Sequence, residues 1–271
     1  MDQTGMDATE TARIAAAADR LLDQRRTGRV EPGLAPALAP ADLAGAYAVQ
    51  ERVVDGLLAG GGRRIGYKVA CTNAIAQEAL QIASPLHGQL LSVSTSPSGA
   101  VLPAARFTHR VVEAEFAFRV GADVAAVPGG HTAATVAPFL DQVLPGIEIV
   151  DYRFASWTVG ALQVAADNAI HGWWVRGEPY AGPFAELDLA AHEVVVRRNG
   201  EAATTGTGAA VLGGPLNVMA WLADELLRFG GGLRAGDYVT TGVCTDVFEA
   251  EAGDHLEADF GVLGRVELTF R

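Results

Sequence analysis

The chain has 271 residues, of which 49% are hydrophobic and 19% are charged, a composition that excludes disorder, collagen-like repeats and a coiled coil as its main character. The formal net charge of −12, from 20 basic and 32 acidic residues, argues against a nucleic acid or an anionic membrane as a partner. No apolar run approaches the ~20 residues of a membrane span, and the chain has two cysteines, so we expect a soluble cytoplasmic protein without a secretory signal.

The first 60 residues predict a helical region. A helix over 9–26 carries arginines in its last turn, and three prolines between positions 31 and 40 indicate a linker. A second helix begins at 41 or 42, with Asp42 as its N-cap, and ends before the triple glycine at 60–62. We therefore predict a helical N-terminal region at 1–60 and a β-rich core at 61–271.

Beyond the glycines, β-rich segments dominate. Two helices interrupt them, over 132–142 and over 215–229. Because strands and helices do not alternate regularly, a doubly wound parallel sheet is disfavoured. Neither a GxGxxG motif nor a phosphate-binding loop is present, which argues against a nucleotide cofactor. We predict strands over 65–70, 111–120, 147–152, 169–175, 194–198, 237–241 and 262–270.

The strand over 111–120 places two carboxylates on one face. With a period of two, Glu113 and Glu115 lie beside the small Ala117, opposite an apolar core face. This pattern fits a solvated outer face or a cavity. Glu148 lies alone between isoleucines, where a carboxylate is costly unless it is paired or bound to a metal. Three carboxylates without a histidine or cysteine partner are typical of a Mg²⁺ or Mn²⁺ site rather than a Zn²⁺ site.

Lysine occurs once in the chain, at Lys68, and the other 19 basic residues are arginine. A lone lysine among arginines fits a position that needs a compact ammonium group, because the two side chains are not interchangeable. Chance survival of one lysine is the alternative explanation.

Several short motifs, in this order and spacing, resemble the fumarylacetoacetate hydrolase superfamily. The likeness spans residues 40–271 and also includes the runs at 235–242 and 252–254. Within the superfamily, the chain resembles the 2-hydroxypenta-2,4-dienoate (2-oxopent-4-enoate) hydratases and the 2-oxo-hexenedioate decarboxylases. The resemblance implies an α+β fold with a mixed β-roll core that closes around a divalent metal. The motifs are Gly66-Tyr67-Lys68-Val69, Glu113-Ala114-Glu115, Glu148 and Ala166-Asp167-Asn168-Ala169.

The resemblance also implies roles for individual residues. Lys68 matches an active-site lysine that neutralises a substrate carboxylate or relays a proton. Asn168 and Thr241 fall at positions that line the substrate pocket. Independently of the resemblance, Arg153 follows Glu148 by five residues and either meets a substrate carboxylate or forms a surface ion pair. The positions that match ligands of Mg²⁺ or Mn²⁺ are Glu113, Glu115 and Glu148.

One segment departs from the hydratase pattern. Where the relatives often carry a Pro-Asp-aromatic-Gly turn, this chain has the run 84–88, with Leu86 in the acidic position and His87 in the aromatic one. His87 is therefore a candidate for catalytic proton transfer, because the ordinary pKa of histidine is about 6.5. Alternatively, the substrate does not need this group, and Leu86 contacts the substrate's tail.

The resemblance implies a metal-dependent lyase of aromatic catabolism that hydrates a 2-hydroxy-2,4-dienoate to a 4-hydroxy-2-oxo acid. The alternatives are a 2-oxo-hexenedioate-type decarboxylase, an acylpyruvate-type C–C hydrolase, and a non-enzymatic subunit paired with a related decarboxylase. The intact carboxylates and Lys68 argue against the last. We expect a small 2-oxo acid as substrate and a homo-oligomer, with association with a related decarboxylase or aldolase as a further option.

Overall fold

The computed structural model describes residues 8–271; residues 1–7, on which the expected absence of a signal partly rests, lie outside this range. Within it, the helices are α1 (Ala8–Thr27), α2 (Leu43–Leu58), α3 (Ala74–Leu80), α4 (Ala133–Val136), α5 (Ala161–Ala166) and α6 (Pro215–Arg228). The strands are β1 (Arg64–Ala70), β2 (Leu86–Leu91), β3 (Thr95–Pro97), β4 (Ala100–Leu102), β5 (Val111–Val120), β6 (Leu140–Val150), β7 (His171–Arg176), β8 (Glu193–Arg198), β9 (Glu201–Thr207), β10 (Tyr238–Thr240), β11 (Phe248–Glu249), β12 (His255–Asp259) and β13 (Arg265–Phe270). The predicted α+β class is confirmed.

The strands form two mixed sheets. The larger has the order β2-β1-β10-β5-β6-β7-β3, with β11 also paired to β5, and the smaller has the order β4-β13-β12-β8-β9. Most neighbours are antiparallel, whereas β1–β10, β3–β7 and β4–β13 are parallel. Residues of both sheets and of α6 share one apolar core, which includes Phe116, Phe118, Phe260 and Leu222. The long antiparallel pair β5–β6 lies in the larger sheet, between β10 and β7.

The N-terminal helices form a second apolar core. Helices α1 and α2 pack against each other, and α2 packs against α5. Asp42 caps α2 as predicted, since its side chain accepts a hydrogen bond from the backbone N–H of Gly45. The linker lies against this core, because Leu34 is buried and its N–H donates to the side chain of Gln163. Members of the core include Ile14, Leu21, Val49, Val53, Phe154 and Val164.

Several predicted element bounds differ from the structure. The strand over 111–120 is confirmed as β5, but the strand over 147–152 is only the end of β6, and the strand over 262–270 begins at Arg265. The sequence pattern missed α3, α5 and the strands β2, β3, β4, β9, β11 and β12. These elements are short or rich in small and polar residues. They are therefore stabilised by strand pairing and packing in the fold, and their local sequence pattern does not identify them.

The helix predicted over 132–142 is wrong in its second half. Thr132 is indeed the N-cap, and its side chain accepts a hydrogen bond from the N–H of Thr135. The α-helix ends at Val136, a 3₁₀ turn that contains Pro138 follows, and the chain enters β6 at Leu140. Proline lacks the N–H that a continuing helix needs, and pairing with β5 then determines the strand.

The turn expected over 84–88 is also wrong in its second half, because Leu86 begins β2, which is antiparallel to β1. Gly88 lies inside this strand rather than at a turn. A Cβ atom at Gly88 would lie 2.5 Å from the carbonyl oxygen of Asn168. Glycine therefore allows β2 to pack closely against the loop that follows α5.

Gly66 has a similar role where β1 meets β10. It pairs with Tyr238 in the parallel register, and its φ is +143°. A Cβ atom at this position would lie 1.8 Å from the carbonyl oxygen of Tyr238, so a side chain would push the two strands apart two residues before Lys68.

We expect Gly66→Ala to lower the free energy of unfolding by roughly 3 kcal/mol or more, since the added methyl group collides with paired backbone. Urea unfolding measures this. Gly60→Ala is the matched control, because no atom lies within 4 Å of its added Cβ. Equal losses in the two variants would contradict the close approach of β1 and β10.

Candidate active site

Strands β5 and β6 bring the three predicted carboxylates together. Glu113 lies opposite Glu148 in the strand register, and one oxygen each from Glu113, Glu115 and Glu148 lies within 4.8 Å of the others. Glu115 and Glu148 are fully buried, and Glu113 is partly buried. Gly146 lies opposite Glu115, and a Cβ atom there would come within 2.7 Å of Trp174 Nε1. The missing side chain keeps space open at the cluster.

Lys68 completes the cluster from β1. Its side chain is 1% exposed, and its Nζ lies 3.2 Å from Glu148 Oε2. The same ammonium donates a hydrogen bond to the carbonyl oxygen of Ala169 at 3.2 Å. The one lysine of the chain is therefore buried beside the carboxylates, as a functional ammonium requires.

The carboxylates and Lys68 shift one another's pKa values. Burial opposes the charge on Lys68, but Glu148, Glu113 and Glu115 outweigh it and raise the pKa of the ammonium. Burial likewise opposes charge on Glu148, yet Lys68 and His171 lower its pKa to about 2. Burial and the charge of Glu148 raise the pKa of Glu113 to about 7 and that of Glu115 well above its ordinary value. The cluster thus carries more carboxylates than Lys68 alone can neutralise.

The donor set fits a divalent cation. Three ionised carboxylates and one ammonium have a net charge of −2, which one divalent ion balances. Glu115 accepts a hydrogen bond from the N–H of Gly242 through Oε2, but its Oε1 is buried and has no hydrogen-bond partner within residues 8–271. Oxygen-only ligands suit hard cations. Glu113, Glu115 and Glu148 could therefore hold a divalent metal.

His171 also contacts the cluster, and the sequence argument missed it. Its Nδ1 lies 2.8 Å from Glu148 Oε1, and its Nε2 lies 3.1 Å from Ser94 Oγ. Because a histidine partner fixes the orientation of a carboxylate ligand, His171 positions Glu148. The sequence does contain a signal for this residue, because His171 is an ionisable side chain within the apolar segment that is predicted as a strand over 169–175.

The loop after α5 shapes the wall behind Lys68. Asn168, Ala169 and Ile170 have φ values of +54°, +48° and +52°, a left-handed conformation that is strained for residues other than glycine. The side chain of Asn168 accepts from the N–H of Gln89 at 2.7 Å and donates to its carbonyl at 3.0 Å. Asn168 thus clamps the loop to β2 and directs the carbonyl of Ala169 towards Lys68.

An ion pair with α1 holds the same loop. Arg25 Nε lies 2.6 Å from Asp167 Oδ1, and the guanidinium also donates to the carbonyl oxygens of Asp167 and His171. Both side chains of the pair are nearly buried. The N-terminal helix is therefore tied directly to the loop that contacts Lys68.

Thr241, predicted to line the pocket, uses its hydroxyl within the fold, since it donates to the carbonyl oxygen of Phe116 at 3.0 Å. Its neighbour Thr240 pairs with Lys68 in the sheet, so the two side chains share one face. Trp174 lies on that face too, opposite Glu148. Thr240 Oγ1 and Trp174 Nε1 are both buried without a hydrogen-bond partner among the described residues, and the sequence argument missed both.

The structure places His87, the candidate for catalytic proton transfer, away from the carboxylates. His87 pairs with Val69 in the register, which places it on the face of the sheet opposite Lys68. Its ring stacks on Tyr47 at 4.0 Å, and burial lowers its pKa to about 4. The ring is therefore neutral at pH 7 and faces away from the carboxylates. Leu86 is 3% exposed and shares the face of Lys68.

Arg153, predicted to meet a substrate carboxylate, also lies apart from the cluster. Its guanidinium donates to the backbone carbonyl of Asp151 at 2.9 Å and forms an ion pair with the Asp151 carboxylate. The side chain is 7% exposed, so the pair is buried rather than on the surface. Arg153 lines a cavity that His171 also lines.

Comparison with known proteins shows which family the chain resembles in sequence. Residues 71–271 match the family described as fumarylacetoacetate (FAA) hydrolase C-terminal. The 2-keto-4-pentenoate hydratase 1 of Dechloromonas aromatica is 35% identical over 94% of this chain and 96% of its own length. The 2-keto-4-pentenoate hydratase of Burkholderia vietnamiensis is 33% identical over 95% of this chain and 97% of its own.

A solved structure shares the whole fold. The 4-oxalocrotonate decarboxylase of Pseudomonas putida G7, complexed with magnesium and adipate, superposes with a TM-score of 0.90 and 27% identity, and the match covers 96% of this chain and 98% of that one.

No helix within residues 8–271 is long and apolar enough to cross a membrane.

The raised carboxylate pKa values predict how pH affects the metal-free protein. Unfolded glutamate ionises at about pH 4.3, whereas Glu113 in the fold ionises at about 7. Ionisation is therefore favoured in the unfolded chain, and the free energy of unfolding falls as pH rises from about 5 to 7.

We expect Glu113→Gln to reduce this fall by about 2 kcal/mol, measured by urea unfolding of protein passed over a chelating resin. Glu78→Gln, at an exposed glutamate, is the control and should keep the full slope. An equal change with pH in the parent protein and in Glu113→Gln would contradict the assignment.

Proposed function

This chain belongs to the fumarylacetoacetate hydrolase family, and on that premise we propose that it is a hydro-lyase that adds water to a 2-hydroxy-2,4-dienoate and yields a 4-hydroxy-2-oxo acid. The observation that carries the proposal is the buried cluster of three carboxylates around Lys68. The hydratases that match over nearly the full chain support the same reaction.

The proposed metal is Mg²⁺ or Mn²⁺, held by Glu113, Glu115 and Glu148. When bound, it supplies Lewis-acid stabilisation for the negative charge that develops on the 2-oxygen of the substrate. The magnesium in the related decarboxylase structure supports this choice.

Lys68 provides a fixed positive charge. Because its pKa is raised, Nζ stays protonated at neutral pH and is a poor base. Of the two roles that the sequence left open, neutralisation of the substrate's carboxylate is therefore favoured over proton relay. The Ala169 carbonyl and Glu148 hold the ammonium from two sides.

Two further donors bind and orient the substrate. The hydroxyl of Thr240 and the indole N–H of Trp174 share the face of Lys68, and neither has a hydrogen-bond partner in the part of the chain that the structure describes. A buried unpaired donor costs free energy, about 1–3 kcal/mol, so a substrate oxygen that accepts from them is stabilised. Asn168 and Thr241 act behind this layer, since Asn168 holds β2 and Thr241 holds β5.

Decarboxylation of a 2-oxo-hexenedioate is the second candidate, and Leu86 is the observation that favours it. The apolar side chain on the face of Lys68 supplies no carboxylate to activate water. Loss of CO₂ needs stabilisation of the electron pair left on the dienolate, not a water molecule. The fold shared with the decarboxylase agrees with this candidate.

We also infer that the protein is cytoplasmic and that it is homo-oligomeric. A third proposal is that the chain divides at residue 60 into a helical N-terminal region and a catalytic core. The acidic composition and the family resemblance support the first two proposals. The packing of α1 against α2 supports the third.

The direct test incubates the Mg²⁺-loaded protein with 2-hydroxypenta-2,4-dienoate and follows the dienol absorbance. We expect a product heavier than the substrate by one water. Lys68→Arg and Lys68→Met should both lower the rate by about 100-fold or more, since guanidinium cannot take the place of the ammonium. Arg119→Lys is the conservative control and should leave the rate unchanged. Turnover only of a 2-oxo-hexenedioate, with loss of CO₂, would replace hydration by the second candidate.

The placement of His87 makes a separate prediction. Because its ring faces away from Lys68 and its pKa is about 4, we expect His87→Gln to leave the pH–rate profile between about 6 and 8 unchanged, with at most a small change in rate. Circular dichroism and urea unfolding report whether loss of the Tyr47 stack affects the fold. Disappearance of a titration near pH 6–7 in a folded His87→Gln variant would restore the original catalytic hypothesis.

A further inference from the structure

A cavity of about 900 Å³ lies where the end of α1 meets the larger sheet. Its walls come from Leu22 and residues 25–28, at the end of α1 and just beyond it, and from the end of α2. Residues at the end of β2 and after it, residues 105–108, and Asp151 and Arg153 complete the walls. Ser94 and His171 form part of its wall. His171 thus separates the cavity from Glu148, and none of the three carboxylates lines it.

The cavity wall is rich in arginine, although three of its four arginines are ion-paired: Arg25 with Asp167, Arg26 with Asp23 and Arg153 with Asp151. Four arginines line it, and Asp151 is the one acidic residue among the lining residues, in a chain with a net charge of −12. Asp151 is fully used, because Oδ1 accepts the N–H groups of Thr108 and His109 at 2.9 Å and Oδ2 pairs with Arg153. The arginines are Arg25, Arg26, Arg106 and Arg153.

Two of these arginines have donors without a partner among the described residues. Arg153 is 6% exposed; both terminal nitrogens bind Asp151, and Nε is unpaired but buried. The guanidinium of Arg106 has no hydrogen bond or ion pair with any described residue, and it lies 4.6 Å from the ring centre of Trp173. A guanidinium over an aromatic face keeps its N–H groups available to a planar acceptor. Burial and the nearby charge of Arg25 lower the pKa of Arg153, although Asp151 and Asp167 oppose the shift.

The remaining walls are largely apolar. Leu22, Leu57, Leu91, Val93 and Phe107 line the cavity, and such surfaces gain stability when an apolar group replaces water. Arginine edges and aliphatic walls together match a molecule with a carboxylate at one end and a hydrocarbon body. The volume lies within the range of small-molecule sites, about 300–1,000 Å³.

We propose that this cavity binds a small organic carboxylate, with Arg106 and Arg153 holding the carboxylate group and the apolar residues contacting the body. The planar fork of a guanidinium pairs with both carboxylate oxygens. The site is separate from the carboxylate cluster and does not depend on the proposed reaction.

The test measures benzoate binding by isothermal titration calorimetry. Metal is first removed on a chelating resin, so that neither a bound cation nor a free chelator contributes. We expect saturable binding of about one benzoate per chain. Arg106→Gln should weaken it about tenfold, as loss of a charge-assisted hydrogen bond does. Val93→Trp should abolish it, because the indole fills the cavity from a residue that is 40% exposed.

Matched controls replace the same residue types elsewhere. Arg265→Gln and Val262→Trp lie at exposed positions outside the cavity wall and should bind benzoate as the parent does. Inorganic phosphate should bind at least about tenfold more weakly, because it has no body for the apolar walls. Absence of saturable binding, unchanged binding in both cavity variants, or phosphate binding as tight as that of benzoate would each overturn the proposal.

Discussion

Burial of three carboxylates beside a single ammonium is the constraint on which this structure depends. Water would stabilise these charges far better than the interior of a sheet does. The ion pair of Lys68 with Glu148 and the hydrogen bond from His171 stabilise one negative charge. Glu113 and Glu115 keep raised pKa values, so without a cation they favour protonation. The site is destabilised when empty of metal and balanced when a divalent ion is bound.

The rest of the fold holds these groups in place from different parts of the chain. Adjacent strands β5 and β6 supply the carboxylates, and β1 supplies Lys68 from across β10. The strained loop at 168–170 brings a carbonyl to Lys68. The loop is held by hydrogen bonds between Asn168 and β2 and by the ion pair between Arg25 of α1 and Asp167. Strain of this kind persists only where surrounding contacts over-determine it. The N-terminal helices therefore contribute to the site although none of their residues lies in the carboxylate cluster.

Local patterns predicted what depends on local chemistry. Strand alternation identified the faces of β5, the apolar surroundings of Glu148 marked a costly carboxylate, and the lone Lys68 indicated a special position. The same reasoning failed where long-range pairing decides the outcome. Gly88 indicated a turn but lies in β2. The ordinary pKa of histidine made His87 a candidate for proton transfer, but burial lowers the pKa of this ring to about 4. His171 and Thr240 were missed because only the sheet register brings them to the cluster.

Titration with Mn²⁺, followed by the electron paramagnetic resonance of the free ion, tests the central claim most directly. If the buried carboxylates form a divalent metal site, the protein binds one ion per chain, and Glu115→Gln weakens binding by about 100-fold or more. Glu267→Gln, at an exposed glutamate, binds as the parent does. Absence of binding, or equal affinity in the parent and Glu115→Gln, would contradict the account.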